Sequence, residues 1–442
     1  MTIQMDKGAA ELLDTLHRAG YAAYVVGGCV RDSLLGLTPH DWDLCTSALP
    51  QQGMELFGEE KCIPTGLQHG TVTVKQGGGL YEITTFRTEG AYTDGRHPDE
   101  VHFVPDVRED LARRDFTINA MAYNAKEGLI DPFGGQADLQ SGILRAVGVP
   151  HQRFTEDALR ILRLYRFAAR FGFAIDPPTA QAAQELCAHL DCVSVERIEE
   201  ELAKLLSAPA PAAYLDEKIL SVVLPELSPE ALAAAKPVVD ACPAGEQALP
   251  VRLAALLLSL GEDGTRRTLR RLRCSNACIE ETAVLVREVV SGVPGAFSSD
   301  TNRAIPSPAL LPAATGSHPS GRSSEKLPAR PPVSLNIYAR RLLGKYNLCT
   351  VQRLAALGTA LQPEHAADFA ALSELAERLD ADGVCCRVSQ LAVNGRDLMA
   401  AGVPAGPGIR KVLEALLDGV IREEYPNERQ ALLAAVQQLA AS

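Results

Sequence analysis

The sequence predicts an α+β fold in which an N-terminal α/β head, built from a mixed sheet and helices, is followed by all-helical domains. Short β-rich runs separated by turn residues fill positions 1–150, and from position 151 apolar residues recur with the 3.6-residue period of helices. Ala and Leu abound whereas aromatic residues make up 5% of the chain. This composition favours helical layers over a large β-sandwich for most of the mass.

Composition and charge exclude several classes of protein. The 442 residues carry 43 basic and 55 acidic side chains, a formal net charge of −12, so any contact with nucleic acid has to be local. The first 20 residues lack the apolar core of a signal peptide, and no run reaches the ~18 apolar residues of a membrane span. We therefore expect a soluble, cytoplasmic protein with no membrane partner. The eleven cysteines are expected to be reduced and packed as small apolar residues.

Five β-rich runs predict strands in the head, namely AAYVVGG at 22–28, WDLCT at 42–46, TVTVK at 71–75, YEITTFR at 81–87 and EVHFV at 100–104. The first run ends in Gly27-Gly28, and a helix is predicted to begin at once. Because glycine has no Cβ, a phosphate can approach the backbone N–H groups at such a turn. Arg31, one turn into the helix, can project its guanidinium toward the same phosphates. The segment therefore predicts a triphosphate cradle.

Two aspartates stand on the second predicted strand. Since strand side chains alternate between faces, Asp41 and Asp43 point the same way on either side of Trp42. Two such carboxylates suit Mg²⁺, which takes one or two protein carboxylates together with substrate phosphates. An Asp-x-Asp pair alone is more often solvated, but the diglycine upstream favours phosphate chemistry. Glu82 is a candidate third metal ligand, although an outward-facing strand glutamate is the commoner case.

A second cluster, DLARRDFTINAMAYN, predicts an apolar helix that begins at Phe116. We expect Asp115 to cap that helix, which leaves Arg114 available for the site. Between the two clusters, TEGAYTDGRHPDEV at 88–101 is glycine-rich and polar. Its composition is typical of a mobile flap over a substrate.

The stretch RFTEDALRILRLYRFAARFGF predicts a basic helix. Asp157 and Arg160 lie one turn apart on it, and Arg163, Arg166 and Arg170 continue a basic face. Cytosine and adenine present an amino donor beside a ring-nitrogen acceptor, whereas guanine and uracil present a carbonyl acceptor beside an N–H donor. A carboxylate with a guanidinium would accept the first pair of bases and reject the second. The alternative is a solvated helix with an i,i+3 ion pair.

Together these motifs resemble the class II tRNA nucleotidyltransferases, or CCA-adding enzymes, a branch of the DNA polymerase β-like superfamily that also includes bacterial poly(A) polymerases. The resemblance rests on GGCVRDSLLG, DWDL, EITTFRTEGAYTDGRHPDEV, RRDFTINAMA, IDPFGG and EDALRILRLYRFAARFGF. It implies that Asp41 and Asp43 are catalytic and bind metal, here Mg²⁺. The nucleotide-binding residues that it implies are Gly28, Arg31, Arg114, Asp157, Arg160, Arg163 and Arg166.

The resemblance also implies a domain order. A nucleotidyltransferase head at 1–150 would be followed by a helical neck at 151–210 that recognises the base, a helical body at 211–345 and a tRNA-binding tail at 346–442. The C-terminal motifs resemble tails of Gram-positive-type enzymes, and no HD phosphohydrolase motif is present. Residues 293–334 are rich in Pro and Ser and poor in apolar side chains, which predicts a disordered insertion within the body.

The implied activity is template-independent transfer of CMP, CMP and AMP from CTP and ATP to the 3′ end of tRNA, with release of pyrophosphate. A poly(A) polymerase and a partial enzyme that adds only CC or only A are alternatives in the same family. From a different class, a non-catalytic RNA-binding protein is a further alternative. Candidate tRNA contacts in the tail are Arg396, Arg410 and Lys411. The sequence leaves the oligomeric state open, with a homodimer among the alternatives.

Overall fold

The computed structural model describes residues 2–90, 100–290 and 334–441, and the chain divides into two compact units, Met1–Pro225 and Glu226–Ser442. In these three ranges no helix combines the length and the apolar character needed to cross a membrane. Most of the predicted flap at 88–101 and of the predicted insertion at 293–334 lies outside the described residues. Those two expectations stay predictions, as does the finer division into head, neck, body and tail.

The first unit contains the β-structure. Its strands are β1 (Ala23–Val26), β2 (Leu44–Thr46), β3 (Cys62–Gly66), β4 (Thr71–Gln76), β5 (Gly79–Thr85), β6 (Arg87–Glu89), β7 (Val101–Phe103), β8 (Ala122–Asn124), β9 (Gly128–Ile130), β10 (Ile143–Leu144) and β11 (Ala174–Ile175). Seven of them form a mixed sheet in the order β3-β4-β5-β2-β1-β8-β9, in which β2 and β5 run parallel and the other described neighbours run antiparallel. β6 pairs with β7, and β10 with β11.

The five predicted β-rich runs each contain a strand, so this part of the prediction is confirmed. β1 is central in the sheet, where Val25 pairs with Leu44 on one side and with Tyr123 on the other. All four residues of β1 are buried. A short, continuously apolar run such as this one fits a strand that is covered on both faces.

The prediction of a helix after Phe116 is wrong. Thr117–Asn119 form one 3₁₀ turn, and the following apolar residues form β8, which pairs with β1 and β9. A short apolar run that is buried on all sides does not distinguish a helix from a central strand by its periodicity. Asp115 therefore caps no α-helix.

The helices of the first unit are α1 (Lys7–Arg18), α2 (Gly28–Leu34), α3 (Pro50–Phe57), α4 (Val107–Ala112), α5 (Gly135–Ser141), α6 (Pro150–Glu156), α7 (Leu159–Phe171), α8 (Pro177–Glu185), α9 (Val195–Leu206) and α10 (Glu217–Val223). The predicted basic helix is thus divided into α6 and α7. Asp157 lies between them in extended conformation, with φ −145° and ψ 104°. Asp157 and Arg160 are consequently not on one helix, contrary to the prediction. α7 packs against α9.

The second unit is helical over its described residues, as the periodicity after position 151 predicts. Helices also fill most of 151–225, but the two-residue strand β11 departs from the predicted all-helical region because it pairs with β10. Its helices are α11 (Pro229–Ala241), α12 (Leu249–Leu257), α13 (Gly261–Arg271), α14 (Asn276–Val290), α15 (Leu335–Lys345), α16 (Leu348–Leu361), α17 (Ala366–Ala381), α18 (Gly395–Ala400), α19 (Gly408–Ile421) and α20 (Arg429–Ala441). α18, α19 and α20 share an apolar core centred on Leu398, Leu416 and Leu432. All eleven cysteines are free thiols and eight of them are buried, as expected for small apolar side chains.

Candidate active site

Gly27 turns the chain from β1 into α2. Its φ of +77° and ψ of −122° belong to a region that residues with a Cβ rarely adopt. A Cβ on Gly27 would lie 2.8 Å from Nη1 of Arg114. At Gly28, the first residue of α2, a Cβ would have more room, 3.6 Å from Nη2 of Arg31. The glycine at 27 therefore allows the Arg114 guanidinium to lie directly against the backbone of the turn.

The two aspartates of the DWDL motif precede β2, which begins at Leu44, so the prediction that they lie on the strand needs correction. Asp43 nevertheless continues the pairing, because its carbonyl accepts the Val26 N–H at 3.0 Å. Asp41 and Asp43 are both exposed and Trp42 is half-buried, while the predicted common direction of the two carboxylates stays a prediction. The sheet therefore fixes the backbone that carries the carboxylates.

Negative charge accumulates around Asp43. Although its side chain keeps contact with solvent, partial burial raises the pKa of the carboxyl, and the charge of Glu82 raises it further. Arg114 lowers the pKa and Asp41 raises it, so these three charged side chains all lie within electrostatic reach of Asp43. An excess of carboxylates over cations at one place suits a divalent metal ion. Glu82, the candidate third carboxylate, acts on Asp43 as a nearby charge.

The carboxylates do not form a complete metal site by themselves. Across the described ranges, no group of three or more His, Cys, Asp and Glu side chains is arranged to hold a metal ion. A bound cation would need further oxygen ligands. Mg²⁺ commonly obtains these from water and from substrate phosphates, so the donor set of Asp41 and Asp43 fits this ion.

Arg114 is held at the site by Asp110 of α4. The Asp110 carboxylate is fully buried and accepts Nε and Nη2 of Arg113 at 3.0 and 2.8 Å and Nη2 of Arg114 at 3.4 Å. Burial would raise the pKa of Asp110, but the two guanidiniums outweigh it and the pKa is lowered. Nε of Arg114 is buried without a hydrogen-bond partner in the described structure. Arg114 therefore retains capacity to bind an anion.

Arg31 lies in α2 and is 4% exposed. Its Nε donates to Asp32 at 2.8 Å and its Nη1 donates to Asn119 Oδ1 at 2.5 Å. The guanidinium also lies over the rings of Phe167 and Phe171, 5.3 and 5.0 Å from their centroids. Arg31 is thus held by Asp32, Asn119 and two aromatic rings of α7, and its predicted contact with phosphates stays a prediction.

The expected i,i+3 pair between Asp157 and Arg160 does not form. Oδ2 of Asp157 accepts Nη2 of Arg197 at 2.8 Å, and Oδ1 accepts the Leu159 N–H at 3.0 Å. Arg160 is buried, and its Nη1 donates to Glu156 Oε2 at 2.6 Å. Its guanidinium also donates to two backbone carbonyls, those of Arg153 and Arg113, both at 3.1 Å. The structure therefore fixes the two predicted base-reading residues through separate partners.

Arg163 and Arg166 of α7 are paired with buried carboxylates. Nε and Nη2 of Arg163 donate to Asp115 Oδ2 at 2.9 and 2.7 Å. Nε of Arg166 lies 2.5 Å from Oε2 of Glu201, and Nη1 of Arg163 lies 3.7 Å from Oε1 of Glu201. Asp115 also accepts the Phe116 N–H and the Asn119 amide. Burial would raise the pKa of Asp115, but Arg163 and Asn119 outweigh it, and the pKa falls to about 2.

Sequence reasoning missed the partners of these groups, above all Arg197 and Glu201 of α9. The run RIEEELAKLL has the period of an amphipathic helix, and residues four apart lie on one helical face. That signal shows that Arg197 and Glu201 share a face. It does not show that the face meets Asp157, Arg163 and Arg166.

Three family profiles match the chain. The "Poly A polymerase head domain" matches residues 23–145, the "Probable RNA and SrmB- binding site of polymerase A" matches residues 172–230, and a tRNA nucleotidyltransferase domain 2 family matches residues 334–436. The first match contains the glycine turn and the aspartate pair. The second contains α9.

Curated relatives match along almost the whole chain. The CCA-adding enzyme of Lactobacillus delbrueckii subsp. bulgaricus is 36% identical over 431 residues, 96% of each chain. That of Geobacillus thermodenitrificans is 35% identical over 432 residues, 96% of this chain and 95% of the relative.

Solved structures of CCA-adding enzymes also match the chain. The Bacillus stearothermophilus CCA-adding enzyme in complex with CTP matches with a TM-score of 0.77 at 30% identity, covering 99% of this chain and 98% of that one. The Thermotoga maritima CCA-adding enzyme complexed with tRNA-CCA has a TM-score of 0.65 at 21% identity, covering 98% and 94%, and supports the fold alone. With full-length relatives above 30% identity and a mixed-sheet head that carries the aspartate pair, the chain belongs to the CCA-adding enzyme family of tRNA nucleotidyltransferases.

Proposed function

We propose that this chain adds CCA to the 3′ end of tRNA, taking CMP twice from CTP and AMP once from ATP and releasing pyrophosphate at each step. The observation that carries the proposal is the group formed by Asp41, Asp43 and Arg114 at the Gly27 turn. This group occurs in a chain that matches curated CCA-adding enzymes over 96% of its length. Since tRNA is processed in the bacterial cytoplasm, the same proposal puts the protein there.

In the proposed reaction the 3′ hydroxyl oxygen of the RNA attacks the α-phosphorus of the nucleotide, and the bond from that phosphorus to the bridging oxygen of pyrophosphate breaks. Mg²⁺ held by Asp41 and Asp43 would supply the acidity that activates the hydroxyl and the positive charge that neutralises the pyrophosphate. Arg114 donates hydrogen bonds to the triphosphate through its guanidinium. Gly27 keeps the backbone of the turn free of a side chain, which leaves room for Arg114.

We further propose that Asp157 and Arg160 select the base. The Asp157 carboxylate accepts from the exocyclic amino group of cytosine or adenine, and Arg160 donates to the adjacent ring nitrogen. Their fixed positions support this role, because selection by hydrogen bonding depends on groups that do not rearrange for the wrong base. Arg163 and Arg166 hold the same region through Asp115 and Glu201.

The metal assignment is tested with Asp41→Asn and Asp43→Asn. We expect either change to lower nucleotide incorporation by about a thousandfold or more, because each removes a charged ligand worth several kcal/mol in the transition state. The free energy of unfolding should stay unchanged or rise, since the negative charges around Asp43 repel one another. Asp191→Asn, at an exposed position, is the matched control. Substantial incorporation by either active-site variant would refute the assignment.

Product sequencing separates the activities that the family allows. A tRNA that lacks its three terminal nucleotides is incubated with Mg²⁺ and with CTP, ATP or both. The proposal expects addition of CC from CTP alone and of CCA, without further extension, from both. Continued addition of A would assign a poly(A) polymerase instead. Products that end at CC with both nucleotides, or that form only from a CC-ended tRNA, would assign a partial activity.

Contacts with the body of the tRNA stay predictions. Arg396, Arg410 and Lys411 are exposed at the beginnings of α18 and α19. Arg410 forms an exposed ion pair with Glu414 at 2.8 Å, which a phosphate can replace at little cost.

A further inference from the structure

Asp157 is held by an arginine from a different helix. Nη2 of Arg197 donates to Oδ2 at 2.8 Å, and Nη1 donates to Oδ1 at 3.4 Å, which is a two-pronged contact. The Arg197 side chain is 24% exposed and the Asp157 side chain is 15% exposed. Arg197 lies in the first turn of α9, whereas Asp157 lies at the break between α6 and α7. The contact therefore joins three helices at the residue proposed to read the base.

The hydrogen bonds of Asp157 leave little of its carboxylate unused. An ionised carboxylate offers about four acceptor positions, two on each oxygen. Oδ1 accepts from Arg197 and from the Leu159 N–H, and Oδ2 accepts from Arg197. By this count one acceptor position remains, on Oδ2. A single remaining acceptor matches a single amino hydrogen of cytosine or adenine.

Arg160 does not help to orient this carboxylate. Its guanidinium donates to Glu156 and to the carbonyls of Arg153 and Arg113. Arg163 acts on Asp157 only as a nearby charge, since its own hydrogen bonds go to Asp115. Among the described residues, Arg197 is thus the cation that is hydrogen-bonded to Asp157.

We propose that Arg197 is a positioning residue for nucleotide selection, which orients Asp157 so that one lone pair of its carboxylate faces the base. The inference rests on the proposed function, in which Asp157 reads the base edge. A guanidinium that donates to both oxygens of a carboxylate fixes the plane of that carboxylate, and with it the direction of the remaining lone pair. Without Arg197, a rotated Asp157 no longer presents this lone pair to the amino group of cytosine or adenine, so these bases lose their advantage over uracil and guanine. Discrimination between an amino group and a carbonyl then falls.

The test uses the full chain with Arg197→Gln and Arg197→Lys, and measures kcat/KM for CTP against UTP and for ATP against GTP. We expect Arg197→Gln to lower both ratios about tenfold or more, chiefly through the KM of the nucleotide, since a misplaced or unmade hydrogen bond costs about 1–3 kcal/mol. Arg197→Lys keeps the charge but loses the two-pronged contact, so it should restore part of the selectivity. If Arg197→Gln fails to fold, the lysine variant carries the test.

The control is Arg145→Gln, which removes an arginine that bridges Asp138 and Asp176 in the same unit. It should lower the melting temperature without changing either ratio. A lower melting temperature in Arg197→Gln, with both kcat/KM ratios unchanged, would show that Arg197 only stabilises the packing of the helices. That result would overturn the inference.

Asp157→Ala and the double variant with Arg197→Gln separate this inference from the proposed function. If Arg197 acts through Asp157, the double variant should show the selectivity of Asp157→Ala alone. Relaxed selectivity in Asp157→Ala but not in Arg197→Gln overturns only the role of Arg197. Unchanged selectivity in Asp157→Ala overturns the reading of the base by Asp157, and the role of Arg197 with it.

Discussion

Asp115 shows how one buried carboxylate connects two parts of the site. It accepts hydrogen bonds from Arg163 of α7 and from the Asn119 amide, and the Asn119 oxygen in turn accepts from Arg31 of α2. Arg163, which is proposed to support the nucleotide, is thus linked to Arg31, which is predicted to contact the phosphates. The link runs through the side chains of Asp115 and Asn119. A carboxylate in this place stabilises the fold only while it is charged.

The pH dependence of stability follows from the pKa of Asp115, which is lowered from 3.8 to about 2. For a carboxyl whose pKa is lower in the folded state, the stabilisation is present above the unfolded value and is lost as the pH falls through the folded one. We expect Asp115→Asn to lower the free energy of unfolding by about 2 kcal/mol at neutral pH and by much less near pH 2. Urea titrations of both proteins across this range measure the difference. A difference that does not depend on pH would contradict the ionic role.

Gly27 and Gly20 form a natural pair for testing the turn. Both have positive φ, +77° and +88°, but an added Cβ would contact Arg114 at Gly27 and nothing within 4 Å at Gly20. We expect Gly27→Ala and Gly20→Ala to lose about 1–3 kcal/mol of stability each through backbone strain. Only Gly27→Ala should also raise the KM for CTP and ATP, because it displaces the guanidinium. Equal KM values for the nucleotides in the two variants would show that the position of Arg114 does not matter for nucleotide binding.

At the scale of elements, α9 serves as the support of α7. Its face with Arg197 and Glu201 meets Asp157, Arg163 and Arg166, so charged groups on α7 that would otherwise be buried without partners are neutralised. Breaking one partner of a buried ion pair is costly, because the other charge is left uncompensated.

Glu201→Gln tests this support. We expect a loss of about 3 kcal/mol in the free energy of unfolding, since Glu201 is 5% exposed and faces two arginines. The matched control is Glu200→Gln, whose pair with Lys204 is more than half exposed and should change stability by less than about 1 kcal/mol. Thermal and urea unfolding measure both. Equal losses in the free energy of unfolding for Glu201→Gln and Glu200→Gln would show that burial does not strengthen the contribution of the Glu201 ion pairs.

The elements also show where sequence patterns lose information. Periodicity predicts the helical residues on both sides of Asp157 but not the break at Asp157, because the helix resumes within two residues, at Leu159. At Phe116 the same kind of pattern predicts a helix where the chain forms a 3₁₀ turn and β8. Both errors concern short segments in which tertiary packing, not local propensity, selects the conformation.

At the scale of the whole molecule, a net charge of −12 has to be reconciled with a polyanionic substrate. Association with tRNA must depend on local groups of basic residues, so it should weaken as salt screens them. For a footprint that neutralises about two phosphates, we expect a roughly tenfold rise in the KM for tRNA when monovalent salt is raised about fourfold. Steady-state kinetics with saturating CTP measures this at constant Mg²⁺. A KM for tRNA that does not change with salt would argue against binding through phosphates.

The sequence alone predicted the five β-rich runs of the head, the helical periodicity after them, the glycine turn, the spacing of Asp41 and Asp43 and the arginines of α7, because local periodicity, backbone freedom and side-chain chemistry depend on neighbouring residues. Tertiary structure decided the rest. Arg197 reaches Asp157 across 40 positions and Asp115 meets Arg163 across 48. Pairings over such separations depend on how helices pack. Only the folded chain shows which charges are buried, which are neutralised and which remain free to meet a substrate.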